Sequence, residues 1–407
     1  MGDNGKTVIA DAAQALEAMK YEPTVDVSSP ALVPSDVPTL QSMLTAERMM
    51  REQAQKEVEA LKEKTKHSVQ MIEAYQPYIP GPPGRGKEDL FKQACANDAV
   101  TSVSWRDKWL KHLANNVVEF DADAHTVGEY FGKHAFGPAI IAGSGPSLKK
   151  NVDVLAGTPK GIPIVSCLHN FAFFVDNNVP CEYFVTLDAG DVVVPEMYQG
   201  GTQSEEAYQK ASEGKTLIAG LVSPPELIRN WKGKVVWFNA TIPDDEYMEK
   251  MKGLTKSKWV YSVGGNTLGA CFYHAAYIFG CNPVAMVGAD FSFDYMQKFH
   301  SWDSPYDAQF SGLIPVTNVF GHRVHTWVSY FNFKNWFEFQ SMGGQGQCHG
   351  KQIINCTEGG ILGSYPEGNI QSIKQLRLFD FLDGYTRHEK LGEVLSTLED
   401  GQYTVMC

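Results

Sequence analysis

The chain lacks several signatures, and each absence removes a class of protein. No Cys-x-x-Cys pair occurs among its eight cysteines, which excludes a zinc knuckle. Cationic residues are in deficit, 35 Lys and Arg against 47 Asp and Glu, for a net charge of −12. That balance speaks against a broad nucleic-acid surface and leaves room only for a local basic pocket around a small anion. No apolar run reaches the ~20 residues of a membrane span. The N-terminus has no charged segment followed by an apolar one, so no signal peptide is read. What is present is 43% hydrophobic and 12% aromatic residues in a 407-residue chain, ample for a large core and two or three structural units. Cys167 and Cys271 lie inside apolar runs as small hydrophobes, and a reducing, cytoplasmic setting fits the cysteine pattern.

Composition divides the chain. Residues 1–38 are small, polar and punctuated by Pro23, Pro30, Pro34 and Pro38, which reads as a flexible arm with one short helix near Ile9–Met19. Residues 39–77 read as a long amphipathic helix. Leu40, Met43, Met50, Ala54, Val58, Leu61, Val69 and Ile72 recur at spacings near three, four and seven. That seam serves equally to lie on the helix's own domain or to form a homo-oligomeric coiled coil. The run from Tyr78 to Gly86, with Pro80, Pro82 and Pro83 among its glycines, is a break. Residues 87–135 form a helical preface with Trp105, Trp109, Leu110 and Leu113 as a packing stripe. Residues 136–395 form the main domain, and 396–407 a tail.

From Pro138 onward short apolar runs alternate with helix-length segments: Ala139–Ala142, Pro163–Leu168, Tyr183–Leu187, Thr216–Ala219, Val235–Phe238, Val284–Val287 and Ile353–Asn355. Continuous apolarity marks strands buried on both faces, so the fold class is α/β, a Rossmann-like, mostly parallel sheet flanked by helices. Ligands of such sheets sit beyond the carboxyl ends of the strands.

The first of those ends is Gly143-Ser144-Gly145-Pro146-Ser147. It is neither the dinucleotide fingerprint nor a Walker A loop, because no Gly-Lys-Ser/Thr follows. It reads either as an ordinary strand-to-helix turn or as a phosphate cradle built from free N–H groups and the two serine hydroxyls. Asn170, after His169, is a base or ribose reader or else a helix cap. Asp188 and Asp191 hold a divalent ion or sugar hydroxyl, or simply form a turn. Gly264, Gly265, Asn266, Thr267 and Gly269 open a helix, as an anion site or as a plain cap by Asn266 or Thr267. Asp290 follows Gly288 at another strand end, with His300, Trp302 and Asp303 beyond it. His322 and His325 flank Arg323 and share a face in a helical segment. They are surface groups, metal ligands lacking further partners, or a general base near neutrality. Thr357, Glu358, Gly359 and Gly360 make a last glycine-rich turn.

Taken in order, Ile140–Leu148, His169-Asn170, Tyr183–Asp188, Gly264–Gly269, Val284–Phe291 and Asn355–Gly360 resemble the MptE-like domain family. That family includes the motility-associated (Maf) flagellin glycosyltransferases and the archaeal 6-hydroxymethylpterin diphosphokinases, and its opening is similar to that of bacterial sialyltransferases. The resemblance covers roughly residues 137–365. It implies that Gly143, Ser144, Gly145, Pro146 and Ser147 lie along nucleotide phosphate and ribose, that Asn170, Thr267 and Gly269 contact the nucleotide, and that His322 is the catalytic histidine. Ser144 and Asp188 stand where the sialyltransferases carry Asn. Gly-Gly-Asn-Thr at 264–267 departs from the Gly-Asp-Arg type motif of the diphosphokinases.

Three readings follow. The first is a glycosyltransferase using a nucleotide-activated sugar, a CMP-nonulosonic acid, and an acceptor that is a protein or glycan. That scheme requires no cofactor, Asp188 and Asp191 being the metal candidates if a divalent ion is used, with His322, His325 and Asp290 as catalytic residues and Gly143–Ser147, Asn170, Asp188, Gly265–Thr267, Gly269 and Thr357–Gly359 as binding residues. The second is pyrophosphoryl transfer from ATP to a hydroxymethylpterin, with Mg²⁺ held by Asp188, Asp191 or Asp290. The third is a non-catalytic nucleotide-binding assembly protein. None involves nucleic acid or a membrane span.

Overall fold

A computed structural model of the chain describes Lys56 and residues 87–242, 244–293, 313–341, 351–365, 368–369 and 373–386. The arm at 1–38, nearly all of the 39–77 helix, the break after it, His300, Trp302, Asp303 and the 396–407 tail lie outside the described residues.

Nine parallel strands form one sheet: β1 (Ala139–Ala142), β2 (Ile164–Cys167), β3 (Tyr183–Thr186), β4 (Thr216–Gly220), β5 (Lys234–Ala240), β6 (Val260–Tyr261), β7 (Val284–Val287), β10 (Ile353–Asn355) and β13 (Ile373–Gln375). Their order is β13-β10-β7-β1-β2-β3-β4-β5-β6. Two hairpins complete the strands: β8 (Leu313–Thr317) with β9 (Arg323–Trp327), and β11 (Ser364–Tyr365) with β12 (Gly368–Asn369).

β1 to β3 and β7 are buried at every residue, which is why their apolarity is continuous. Their side chains alternate between two cores. Ile140 and Ala142 enter one, Ala139 and Ile141 the other. Burial of an Ile or Val of this kind contributes about 1.5–3 kcal/mol. Helix Lys87–Phe120 closes one face through Trp105, Trp109, Leu110 and Leu113, so the tryptophan stripe is packing, as expected. Its polar residues tie it to the end of β4: His112 Nδ1 meets Val222 O at 2.9 Å, and Asn116 Nδ2 donates to Leu221 O and Ser223 O. Helix Thr267–Tyr273 lies on the opposite face, where Cys271 and Phe272 are fully buried.

The chain runs outward from β1 to β6, returns with β7 on the other side of β1, and continues to β10 and β13. The strand order therefore reverses between β1 and β7. In open parallel sheets the crevice beyond the carboxyl ends at such a reversal is where ligands bind.

Candidate active site

Gly143 N–H donates to Val287 O and Gly145 N–H to Gly288 O, both at 2.9 Å, so the turns leaving β1 and β7 are laced together. A Cβ on Gly143 would stand 2.5 Å from Gly288 O, and one on Gly288 (φ +61°) 2.5 Å from Gly143 O. This close backbone approach, rather than a ligand, accounts for both glycines. Ser147 N–H goes to Asp290 and Leu148 N–H to Gly145 O at 3.0 Å. The expected cradle of free N–H groups is thus largely consumed within the protein, because the switch-point turns need the same donors to join each other. Ser144, half-buried, makes no hydrogen bond among the described residues.

Asp290 is the hub of the crevice. Its side chain is 6% exposed, and Oδ2 accepts from Ser147 Oγ at 2.7 Å and from Ser147 N–H at 3.2 Å. Its carbonyl accepts from Ile361 N–H at 2.9 Å. Gly145 and Gly360 leave no space for a Cβ against it. Burial pushes its carboxyl up from 3.8 to about 6, against the opposing pull of the Ser147 donors and the Lys150 ammonium.

Lys150 is the residue missed from sequence. It sits in the first turn of helix Leu148–Ala156, and its Nζ reaches Glu358 O at 3.4 Å, where Glu358 adopts φ +56°. A Cβ on Gly359 would lie 3.9 Å from both Asp290 Oδ1 and Lys150 Nζ. A cation and a carboxyl that titrates near neutrality therefore converge on one glycine at the switch point.

The remaining expected residues divide. Asn170 is fully buried, and its Nδ2 donates to Ala142 O, Gly143 O and Ser166 Oγ at 2.9–3.2 Å. It props the first turn and does not cap its helix, and its Oδ1 is buried without a partner among the described residues. Asp188 accepts from Gly190 N–H at 2.7 Å, a turn-forming role, and Asp191 is an exposed ion pair with Lys108 at 2.8 Å. Asn266 Oδ1 accepts from Gly269 N–H at 2.7 Å, so the plain cap reading applies there, by Asn266 and not Thr267. Gly264 and Gly265 both sit at φ +69°, and Gly269 packs on Val263 O with no space for a side chain. Leu268 brings this helix start onto Gly143. Thr357, fully buried, accepts from Ala289 N–H at 3.1 Å and so fastens the turns after β7 and β10 together.

The segment around His322 and His325 is an antiparallel hairpin and not a helix, so the two rings do not share a helical face. The hairpin docks on the crevice rim: Phe293 N–H donates to His325 O at 2.9 Å, Thr326 Oγ1 to Phe291 O at 2.5 Å, and Val319 N–H to Gly360 O at 3.0 Å. His322 is exposed, its N–H held by Asn318 Oδ1 at 2.9 Å, and His325 is half-buried.

Helix Val328–Ser341 reaches across the strand ends. Trp336 stacks where a Cβ on Gly264 would be, Phe337 meets Phe291, and Glu338 accepts from Gly363 N–H at 3.0 Å. Lys334 and Glu338 form an ion pair at 2.6 Å, buried to 1% and 0% exposure. Asn335, 8% exposed, has no partner for either amide atom among the described residues. At the end of β2, His169 Nε2 lies 2.5 Å from Glu196 Oε2. No group of three or more His, Cys, Asp or Glu side chains among the described residues could hold a metal.

Fold and crevice define a parallel α/β domain with a switch-point site carrying both a cation and a carboxyl. Residues 111–295 match the family model described as 6-hydroxymethylpterin diphosphokinase MptE-like, in agreement with the resemblance read from the glycine turns. No curated protein matches the chain. Among solved structures, MAf glycosyltransferase from Magnetospirillum magneticum AMB-1 is similar at 13% identity and a TM-score of 0.45. The alignment covers 77% of this chain and 47% of that one, so the chain spans about half its length.

Proposed function

We propose that the protein is a glycosyltransferase that takes a nucleotide-activated sugar, a CMP-nonulosonic acid, as donor. The observation carrying this reading is the meeting of Lys150 Nζ and the Asp290 carboxyl at Gly359. In the proposed complex the donor phosphate lies against Lys150 and the Ser144 hydroxyl. An acceptor hydroxyl attacks the anomeric carbon, the bond from that carbon to the phosphate oxygen breaks, and the nucleotide leaves with the electron pair. Lys150 meets the charge that develops on it. His322, on the hairpin fastened to Gly360, is the base this reading assigns to the acceptor proton. A reducing, cytoplasmic setting is part of the proposal and is supported by the free, buried thiols of Cys167, Cys181, Cys271, Cys281 and Cys356. No described helix is long and apolar enough to cross a membrane.

The family description favours a second reading, pyrophosphoryl transfer from ATP to a pterin, with Mg²⁺ on Asp188, Asp191 or Asp290. Against it, Asp188 is engaged by Gly190 N–H, Asp191 by Lys108 and Asp290 by Ser147. Thermal unfolding with CMP, CDP, UDP, GDP or ATP, with and without Mg²⁺, separates the two. A ligand at one hundred times its Kd adds about 2.7 kcal/mol of stability. Stabilisation by CMP without metal is expected, whereas stabilisation by ATP alone, and only with Mg²⁺, selects the second reading. His322→Ala is expected to lower turnover by ~10²–10⁴ if it is the base.

A further inference from the structure

Asn335 carries an amide that the fold leaves unfinished. It is 8% exposed, and neither its oxygen nor its nitrogen has a hydrogen-bond partner among the described residues. Burying an amide in that state costs stability at each atom, so Leu would serve the fold better at this position. Natural chains break such a rule chiefly where function needs it.

The course of helix Val328–Ser341 puts Asn335 at the switch point. Tyr330, near its start, is close enough to Cys167, the last residue of β2, for the two groups to interact electrostatically. Phe337 meets Phe291, just past β7, at 5.6 Å between ring centroids. Glu338 accepts from Gly363 N–H, beyond β10. The helix rises about 10.5 Å from Tyr330 to Phe337. The step from β2 across β1 to β7 is about 9.6 Å. The residues between, Asn335 included, therefore pass over the ends of β1 and β7. Phe331 and Glu338 stand one turn before and after Asn335 on the same helix stripe. Phe331 is buried in the core cluster that holds Ile141 and Met286, and Glu338 is fully buried. That stripe faces the sheet, not solvent. Trp336, the next residue, lies against Gly264, whose helix start brings Leu268 onto Gly143. The surroundings are thus flat and apolar, with one two-sided polar group among them. A planar ring with a donor and an acceptor side by side on its edge suits both features, and that is the edge of a nucleobase.

We propose that Asn335 binds the base of the nucleotide through both ends of its amide. The assignment rests on the glycosyltransferase reading, which sets the phosphate at Lys150, and adds the base to the same crevice. On cytosine the Asn335 oxygen accepts from the exocyclic amino group and its nitrogen donates to ring N3. On uracil the amide turns over, donating to O4 and accepting from N3–H. Asn335 therefore selects for a paired edge without choosing between the two pyrimidines.

The test is calorimetric binding of CMP and UMP to the full chain, with urea unfolding of each variant in the absence of nucleotide. Asn335→Leu is expected to be at least as stable as the wild type, because it removes an unpaired buried amide, and to weaken CMP by ~10–100-fold. Asn335→Asp keeps the shape but, ionised, can only accept. It is expected to shift the CMP-to-UMP affinity ratio by ~10-fold toward CMP, and it decides the matter should the Leu variant fail to fold. CMP affinity within about threefold of the wild type in both variants overturns the assignment and leaves the transferase reading standing. So does a Leu variant clearly less stable than the wild type together with an unchanged ratio in the Asp variant, which marks an amide bonded within the protein. A wild-type chain that binds no CMP overturns the transferase reading first and the base contact with it.

Discussion

Asp290 holds its carboxyl at about 6 because it is buried, and two donors from Ser147 only partly offset that burial. Relative to an ordinary carboxyl at 3.8, this costs about 3 kcal/mol at neutral pH. The folded state binds the Asp290 proton more tightly than the unfolded state does. Its contribution to stability is therefore fully present below about pH 4 and is lost as the pH rises through about 6. Asp290→Asn removes that titration. In urea unfolding between pH 4.5 and 7, wild-type stability relative to Asp290→Asn is expected to grow as the pH falls, and a constant difference would contradict the assignment. The carboxyl itself was visible in the sequence as a Gly-x-Asp strand end. Its partners were not. Ser147 reads as part of a phosphate loop and Lys150 carries no motif, and only the reversal of strand order brings both onto a residue 140 or more positions away. The same holds for His169 and Glu196, which belong to the ends of different strands.

The individual elements were legible in proportion to how completely they are buried. The seven apolar runs read as strands all proved to be parallel strands, with bounds displaced by a residue or two. β6 escaped because it is only Val260-Tyr261, and β13 because Ile373-Lys374-Gln375 is an edge strand with one buried side chain. The β8–β9 hairpin escaped because its pairs are half-exposed and mixed in polarity, without the alternation that marks a hairpin. Helix Val328–Ser341 hides its chief peculiarity for a similar reason. Lys334 and Glu338 are spaced as an ordinary surface pair, yet both are buried. Breaking a buried pair strands a charge and costs about 3–5 kcal/mol, whereas replacing both partners with apolar residues is often neutral. Lys334→Met is accordingly expected to destabilise by that amount in urea unfolding. Lys334→Met/Glu338→Leu should recover most of the loss, less the bond that Glu338 accepts from Gly363 N–H. A double variant no more stable than the single one would show that the pair matters for more than charge balance.

For the whole molecule, topology joins what the sequence scatters. The glycine turns at 143–147, 264–269, 288–290 and 357–360 gather because β7 returns beside β1, and the returning strand is the step that no local pattern reveals. Quaternary structure is the matching question for the N-terminal third. The seam from Leu40 to Ile72 spans 32 residue steps, which in a helix is about 48 Å, with one apolar stripe between Glu and Lys positions. An apolar stripe of that length must be covered, either by the chain's own domain or by another copy, since apolar surface left in water forfeits about 25 cal/mol per Å². The core-facing stripe of the following helix, Trp105, Trp109, Leu110 and Leu113, is already spent on the sheet domain. We therefore expect the 39–77 segment to associate with a second copy of itself. Light scattering on the full chain should report a multiple of the 45.1 kDa monomer mass. A chain beginning at Lys87 should be monomeric and keep both its cooperative unfolding and its stabilisation by nucleotide. A full chain that is monomeric, or a shortened one that loses cooperative unfolding, would mean instead that the stripe packs within its own chain.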